Sequence, residues 1–337
     1  MTDLDDFYHY SSLSPSGEDE IRIIHLQPSS DLESIIQCSL KDATLAEYRD
    51  DIADHYVALS YVWGDANDKR CIMVDGKRFN ITDSLDSALR HIRDARRVLR
   101  VWADGVCINQ NDAVERNRQV RLMGEIYSTA EHTIIYLGVS SPECEFVLKN
   151  IKTLLSESQE KSLKNPITGK HIESIIEDDI LAHAWFNRVW IFQELLLSKD
   201  PWLQCGVTRI RWEIFCNYVL CSVSSLWKPE SRIVLENMNK SRINLKMPSE
   251  TGVDNSDKAS NAIPDTSLLT YMSIRRGYGV SDPRDMVYAH VGLTPTKTRH
   301  TISIDYDKTV AQTYEDIALF YVSVNFSEKL FGGISAS

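Results

Sequence analysis

The pattern of apolar and polar segments along the chain predicts an α/β protein. Short apolar runs, rich in the β-branched and aromatic residues of buried strands, occupy residues 56–62, 98–102 and 132–137. Between them, residues 82–92 and 112–127 carry apolar positions at the spacing of one helix face. Strands that alternate with helices of this length form parallel sheets covered on both faces. The three runs are therefore predicted to be neighbouring parallel strands.

The segments around this core predict further elements. Apolar patches at residues 21–26 and 35–40 predict two edge strands ahead of the core. Residues 71–81 predict a hairpin, because the Asp-Gly pair in their middle supplies the positive φ angles of a two-residue turn. Residues 184–197 predict one strongly apolar helix, and a last helix is predicted near residues 310–324.

Three further segments are predicted to be a tail, an insertion and a loop. Residues 1–20 contain six acidic residues and no Lys or Arg, which predicts a flexible acidic tail. Residues 156–180 are polar and predict an insertion. Residues 240–265 are rich in polar and turn-forming residues and predict a mobile loop.

Charge and composition exclude several classes of partner. The formal net charge of −11 makes phosphate backbones unfavourable partners, so nucleic-acid binding is not expected. No apolar run reaches the roughly 18 residues of a membrane span, and the N-terminus lacks the features of a secretory signal. The seven cysteines form no CxxC pair, which is typical of a reducing compartment and predicts a cytoplasmic protein.

The motifs of common enzyme classes are missing from the sequence. It contains no glycine-rich dinucleotide or P-loop motif, no nucleophile-elbow serine and no HExxH zinc motif. The nine histidines lack zinc-ligand spacing, so neither a metal nor a bound cofactor is predicted.

Polar and aromatic side chains cluster after two predicted strands and along one predicted helix. In open parallel sheets, ligands bind at the carboxyl ends of the strands. The loops after residues 62 and 102, together with helix 184–197, therefore form the candidate site. Its candidate residues are Ser60, Tyr61, Trp63, Gly64, Asp65, Asp104, Asn109, Arg188, Trp190 and Glu194.

A structural alternative stands beside each candidate. Tryptophans such as Trp63 and Trp190 are more often core residues than ligand contacts, and an arginine is often an ordinary ion-pair partner. Asp104 and Asn109 can simply tie down a loop through hydrogen bonds to its backbone. Glu194 lies on a helix that is apolar on most sides, so it is either paired, exposed along a narrow face or lining a cleft.

Several blocks of the sequence resemble the fungal heterokaryon incompatibility (HET) family. The most specific are YVALSYVWGD at residues 56–65 and VWADGVCINQ at residues 101–110. Further matching blocks follow in order, so the resemblance extends over about residues 21–320. It implies a HET domain over residues 21–330, with family-specific insertions and C-terminal helical additions. One departure is Gly105, where the family more often has a small apolar residue.

HET domains are similar in layout to TIR domains, which implies a TIR-like, flavodoxin-like parallel sheet with helices on both faces over about residues 56–200. Residues 190–194 (WIFQE) resemble the WCxxE segment that carries the glutamate of NAD-cleaving TIR domains. By that resemblance Glu194 is the catalytic residue and NAD⁺ is a substrate, not a cofactor. The implied function is programmed cell death in fungal immunity through NAD⁺ nucleosidase activity.

A non-catalytic function remains the alternative. Many TIR domains act only by self-association, and a fold does not determine an activity. Glu194 would then be structural, and the loop after residue 102 would be an assembly surface. The two hypotheses differ in whether a complete pocket surrounds Glu194. Both leave the sensor or regulatory protein that triggers the response unknown.

Overall fold

The structure is a computed structural model, and it describes residues 6–13, 19–49, 55–156, 169–222, 225–246 and 267–331. Its strands are β1 Glu20–Leu26, β2 Gln37–Thr44, β3 Val57–Ser60, β4 Lys69–Val74, β5 Lys77–Thr82, β6 Leu99–Trp102, β7 His132–Tyr136, β8 Pro201–Cys205 and β9 Thr208–Arg211.

The helices are α1 Leu45–Arg49, α2 Asp83–Ile92, α3 Asp104–Cys107, α4 Ala113–Thr129, α5 Pro142–Ser156, α6 Ile172–Ile175, α7 Ile191–Leu197, α8 Trp212–Cys221, α9 Pro229–Lys246, α10 Ser267–Ile274, α11 Asp285–Val291, α12 Thr296–Thr301 and α13 Val310–Phe331. A π-helical segment, Ile176–Leu181, and a 3-10 turn, Ala184–Asn187, precede α7.

A parallel core lies within the sheet, as the sequence predicts. The strands of the described chain form one nine-stranded sheet in the order β5-β4-β2-β1-β6-β3-β7-β8-β9. Strand β3 pairs in parallel with β6 on one side and with β7 on the other, and β7 pairs in parallel with β8. Among these four parallel strands, the one that comes first along the chain lies between the second and the third.

The sheet as a whole is mixed, which corrects the expectation of a purely parallel one. Strand β1 is antiparallel to both β2 and β6, so the predicted edge strands at residues 21–26 and 35–40 lie inside the sheet. Ile23 and Ile24 are both fully buried although they point to opposite faces, which suits a strand covered on both sides. The predicted hairpin is confirmed: Asp75 and Gly76 have φ angles of 50° and 77° and join β4 to the edge strand β5.

Apolar side chains fill both faces of the parallel core. Successive residues of a strand point to opposite faces. Ile134 and Ile135 of β7 are both buried, and they belong to two different hydrophobic clusters. One cluster joins the N-terminal strands to α2 and α4, and the other joins β8 to α5, α7 and α8. Helices therefore cover both sides of the sheet at β7.

The prediction of one helix over residues 184–197 is wrong. After the 3-10 turn the chain extends, and Arg188 forms a β-bridge with Gly279. The Gly279 amide donates to the Asn187 carbonyl at 2.6 Å, and the Val189 amide donates to the Gly279 carbonyl at 3.3 Å. These distant partners satisfy backbone groups that a continuous helix would have paired locally. The α-helix begins only at Ile191, so Trp185 and Glu194 do not share one helix face.

The N-terminal tail is packed where the structure describes it, over residues 6–13. The Tyr8 amide donates to the Arg78 carbonyl at 2.8 Å, alongside a bridge between Phe7 and Arg78 on the edge strand β5. Leu13 is 7% exposed. The prediction of a flexible tail is therefore wrong for residues 6–13, and residues 1–5 and 14–18 lie outside the described part.

The mobile-loop prediction is wrong for residues 240–246, and the structure describes part of the insertion predicted at residues 156–180. In segment 156–180, Ile172 and Ile176 are fully buried in the second hydrophobic cluster, while residues 157–168 lie outside the described part. In segment 240–265, residues 240–246 are the end of α9, and residues 247–265 lie outside the described part. No helix in the described chain has both the length and the apolar character needed to cross a membrane.

Candidate functional site

A buried hydrogen-bonded chain of side chains lies at the carboxyl end of β3. Ser60 is the last residue of that strand, and its hydroxyl donates to Oε2 of Glu194. The indole Nε1 of Trp185 donates to the same hydroxyl oxygen at 2.7 Å. Because the indole can only donate, it leaves the serine proton free to point at the carboxyl group. Glu194, in the first turn of α7, is thus held in one orientation.

Burial controls the ionisation of Glu194, which is 3% exposed. Loss of hydration raises the pKa of the carboxyl group to about 7, and the Asp104 carboxylate adds to the rise. The positive charge of Arg188 and the hydrogen bond from Ser60 act in the opposite direction. Protonated and ionised Glu194 are therefore both populated near neutral pH.

A second group of hydrogen-bonded side chains comes from the loop after β3 and from the segment after β6. The indole Nε1 of Trp63 donates to Oδ2 of Asp104 at 2.8 Å. The Tyr61 hydroxyl also bonds to Asp104, and burial is the main cause that raises the pKa of this phenol well above its usual value. The guanidinium of Arg188 donates to the Tyr61 carbonyl oxygen. One network thus contains Trp63, Asp104 and Arg188, and its charges act on Glu194.

A cleft of about 400 Å³ borders this network on its Trp63 side. Tyr61, Trp63 and Gly105 line the cleft, whereas Glu194 is not among its lining residues. A side chain at Gly105 would bring a Cβ within 2.7 Å of the Tyr61 hydroxyl and 3.0 Å of Leu85 Cδ2. Glycine at this position therefore lets the Tyr61 hydroxyl approach the loop that carries Asp104.

Three other predicted residues bond within their own loops. Gly64 has a φ of 75°, which favours glycine in the turn after β3. The Asp65 carboxylate accepts from the amide of Asn67 at 2.8 Å. The side-chain oxygen of Asn109 accepts from the backbone amide of Asn111 at 3.2 Å. The structural alternative accounts for the contacts of Asp65 and Asn109.

Trp190 is tied to the C-terminal helices, not to Glu194. Its indole hydrogen-bonds to the carboxyl group of Asp285, and burial raises the pKa of that group. Asp285 also accepts from the Tyr306 hydroxyl at 2.6 Å. Trp190 is half-buried against the first hydrophobic cluster. Its contacts therefore anchor the start of α7 to α11.

The structure adds three residues that local sequence patterns do not mark. Trp185 orients Ser60, as described above. The Tyr127 hydroxyl donates to the Leu59 carbonyl at 3.1 Å, beside the Glu194 charge. The buried Arg275 donates to the Arg188 carbonyl at 2.5 Å. All three contacts join segments that are far apart in the sequence.

No group of three or more His, Cys, Asp and Glu side chains in the described ranges could hold a metal ion.

The family model described as "Heterokaryon incompatibility protein (HET)" matches residues 56–194. This range begins just before β3, contains Asp104 and ends at Glu194. The chain carries a HET domain. The segment before α7 is held by Arg275, which contacts Arg188, and by Asp285, which contacts Trp190. Both residues lie outside the matched range of the HET domain.

A curated relative of this HET-domain chain is "Heterokaryon incompatibility protein 6, OR allele" from Neurospora crassa. The two are 29% identical over 244 residues, which cover 59% of this chain and 35% of the relative. The chain thus spans about a third of the length of that relative. No solved structure matches the HET-domain chain.

We expect Glu194→Gln to remove a pH-dependent destabilisation of the HET domain. Because the folded pKa of about 7 exceeds the usual 4.5, this group stabilises the folded state fully below pH 4.5 and loses that contribution as pH rises to 7. The difference between these two pKa values corresponds to a free energy of about 3 kcal/mol. At pH 8 the variant should therefore have the higher free energy of unfolding, by up to about 3 kcal/mol, in urea denaturation.

The matched control for this experiment is Glu177→Gln. Glu177 is equally buried, but it accepts a hydrogen bond from the Lys228 amide, outside the Glu194 network. The control should keep the pH dependence of the parent between pH 5 and pH 8. Equal pH dependence in the parent and in Glu194→Gln would show that Glu194 titrates normally in the folded protein.

Proposed function

We propose that this chain contributes the effector domain of a fungal incompatibility protein and triggers programmed cell death. The HET-domain match and the similarity to the Neurospora crassa protein support this proposal. Because the chain corresponds to about a third of that relative, the proposal concerns the HET domain itself. A sensor or regulatory protein that activates the domain is part of the same proposal.

The proposal includes a TIR-like core over about residues 56–200. The order of the four parallel strands supports it, because β6, β3, β7 and β8 follow the flavodoxin-like pattern in which the first strand lies between the second and third. In such sheets the ligand crevice opens where the strand order reverses, at the carboxyl ends of the strands on either side. Ser60 and its partner Glu194 lie at the carboxyl end of β3, beside this reversal point.

We propose that the domain kills by cleaving NAD⁺ with Glu194. The bond between the ribose C1′ and the nicotinamide nitrogen breaks, and its electron pair neutralises the positively charged ring. Nicotinamide leaves uncharged, so this step needs no acid, unlike most glycoside cleavage. An ionised Glu194 would stabilise the cation that develops on the ribose. Water then adds to C1′ and releases a proton, which gives ADP-ribose.

The observation that carries this mechanism is the fixed orientation of a carboxyl group whose pKa is raised to about 7. Ser60 and Trp185 hold the group before any substrate arrives, so little reorganisation is needed in the transition state. Glu194 is 3% exposed, so the residues that cover it must move before a ribose reaches the carboxyl group. Self-association of the domain, which a high protein concentration promotes, would supply that opening.

A non-catalytic module is the second candidate function, and the burial of Glu194 favours it. A carboxyl group that is 3% exposed and hydrogen-bonded to Ser60 also fits a purely structural role. The HET domain would then signal by self-association, with the loop after β6 as an assembly surface.

Expression in yeast cells separates the two candidates. The parent chain should stop growth and lower cellular NAD⁺, Glu194→Gln should do neither, and Glu177→Gln should behave like the parent. Killing by Glu194→Gln with normal NAD⁺ would favour the non-catalytic module. Normal growth with the well-expressed parent would contradict the effector proposal itself.

A further inference from the structure

The cleft beside Trp63 has one wall of packed aromatic rings. The rings of Tyr8 and Tyr10 meet edge to face with centroids 5.4 Å apart, and Tyr10 meets Phe79 in the same way at 5.8 Å. The Tyr10 hydroxyl donates to the Val106 carbonyl at 2.8 Å, which ties this wall to the floor of the cleft. The residues that the sequence predicts to be a flexible tail thus form a fixed aromatic surface.

Trp63 lines the same cleft and is 36% exposed. Its hydrogen bond to Asp104 fixes the ring, so a large aromatic surface stays partly exposed without being free to turn. Gly105 and Leu85 also line the cleft, and glycine keeps the floor free of a side chain between them. Fixed aromatic rings that line one cleft can hold a flat ring by stacking.

The polar groups of the cleft are cationic or neutral. Lys69 is exposed in the cleft lining and has no acidic partner among the residues that the structure describes. The guanidinium of Arg78 forms an ion pair with the half-exposed Asp6 at 3.2 Å, and solvent screens this pair. Asn80 and Asn111, whose side chains are neutral, also line the cleft. Such a site suits a ligand with a negative charge and hydrogen-bonding edges.

We propose that this cleft binds a nucleotide, with its base against Trp63 and its phosphate beside Lys69. The cleft volume of about 400 Å³ lies in the range of small-molecule sites. Stacking alone accepts any flat ring, and Lys69 adds the preference for one that carries a phosphate. Because Glu194 is not among the lining residues, binding at this cleft does not depend on the proposed cleavage.

Calorimetric titration of the full chain with AMP, adenosine and ribose 5-phosphate tests the proposal. AMP should bind more tightly than either of the other two, because only AMP has both the ring and the phosphate. Trp63→Ala should weaken AMP binding at least about tenfold through the loss of stacking. Lys69→Gln should weaken AMP binding about fivefold and leave adenosine binding unchanged.

Two controls keep the outcome specific. Lys77 is an exposed lysine on the same β4–β5 hairpin as Lys69, but it does not line the cleft. Lys77→Gln should therefore bind AMP like the parent. Glu194→Gln should also bind AMP like the parent, so failure of NAD⁺ cleavage and failure of nucleotide binding are distinguishable. The absence of AMP binding by the parent would overturn the proposal. Equal affinity in a Trp63→Ala protein that melts normally would overturn it as well.

Discussion

Glu115→Ala should lower the free energy of unfolding of the HET domain by about 3–5 kcal/mol. Both oxygens of Glu115 accept from the fully buried Arg22, at 2.6 and 2.9 Å. The pair joins β1, inside the sheet, to the start of α4. Removing the carboxylate leaves the buried guanidinium with Asp42 as its remaining ion-pair partner in the described chain, and that side chain is 53% exposed and 3.6 Å from Nε.

The variant should also loosen the loop that follows β6, because Glu115 accepts the Asn109 amide. Urea denaturation at pH 7 measures the loss. The matched control is Glu125→Ala, on the same helix α4 as Glu115, which removes the partly exposed ion pairs with Arg49 and Arg299. Exposed pairs contribute about 0–1 kcal/mol, so the control should change little. A loss no larger in Glu115→Ala than in Glu125→Ala would show that the buried pair does not hold these elements together.

Glu194→Gln should lower the rate of NAD⁺ cleavage at least about a hundredfold, which is the scale of losing one preorganised electrostatic group. Glutamine keeps the size of the side chain and can still accept the hydrogen bond from Ser60. Only the negative charge that would stabilise the ribose cation is lost. Because burial raises the pKa of Glu194, the variant should fold at pH 8 at least as stably as the parent. Loss of activity with a normal melting curve therefore separates catalysis from folding.

Local patterns in the sequence predict much of the parallel core. The strands at β3, β6 and β7 follow from short β-rich runs, and the hairpin of β4 and β5 follows from its Asp-Gly turn. The positions of β1 and β2 do not follow, because an apolar run shows that a strand is buried but not which strand it pairs with. The break at Arg188 depends on pairing with Gly279, which no local pattern reveals.

Local patterns in the sequence also predict part of the candidate site. Ser60, Asp104 and Glu194 can be chosen from sequence because they follow strands or interrupt an apolar segment. The residues that orient the network cannot be chosen in this way, because Trp185 looks like an ordinary core residue. Arg275 is 89 and 87 positions from Phe186 and Arg188, whose carbonyl groups it contacts, so only the fold brings these residues together.

Release of nicotinamide from NAD⁺ by the purified HET-domain chain tests the central claim most directly. Chromatography should show nicotinamide and ADP-ribose in equal amounts from the concentrated parent protein at pH 8. The rate should rise from pH 6 to pH 8, because the carboxylate form of Glu194 increases through its pKa of about 7. Glu194→Gln should release almost none, and Glu177→Gln should match the parent. No nicotinamide from the folded parent, or equal release by Glu194→Gln, would contradict cleavage by Glu194.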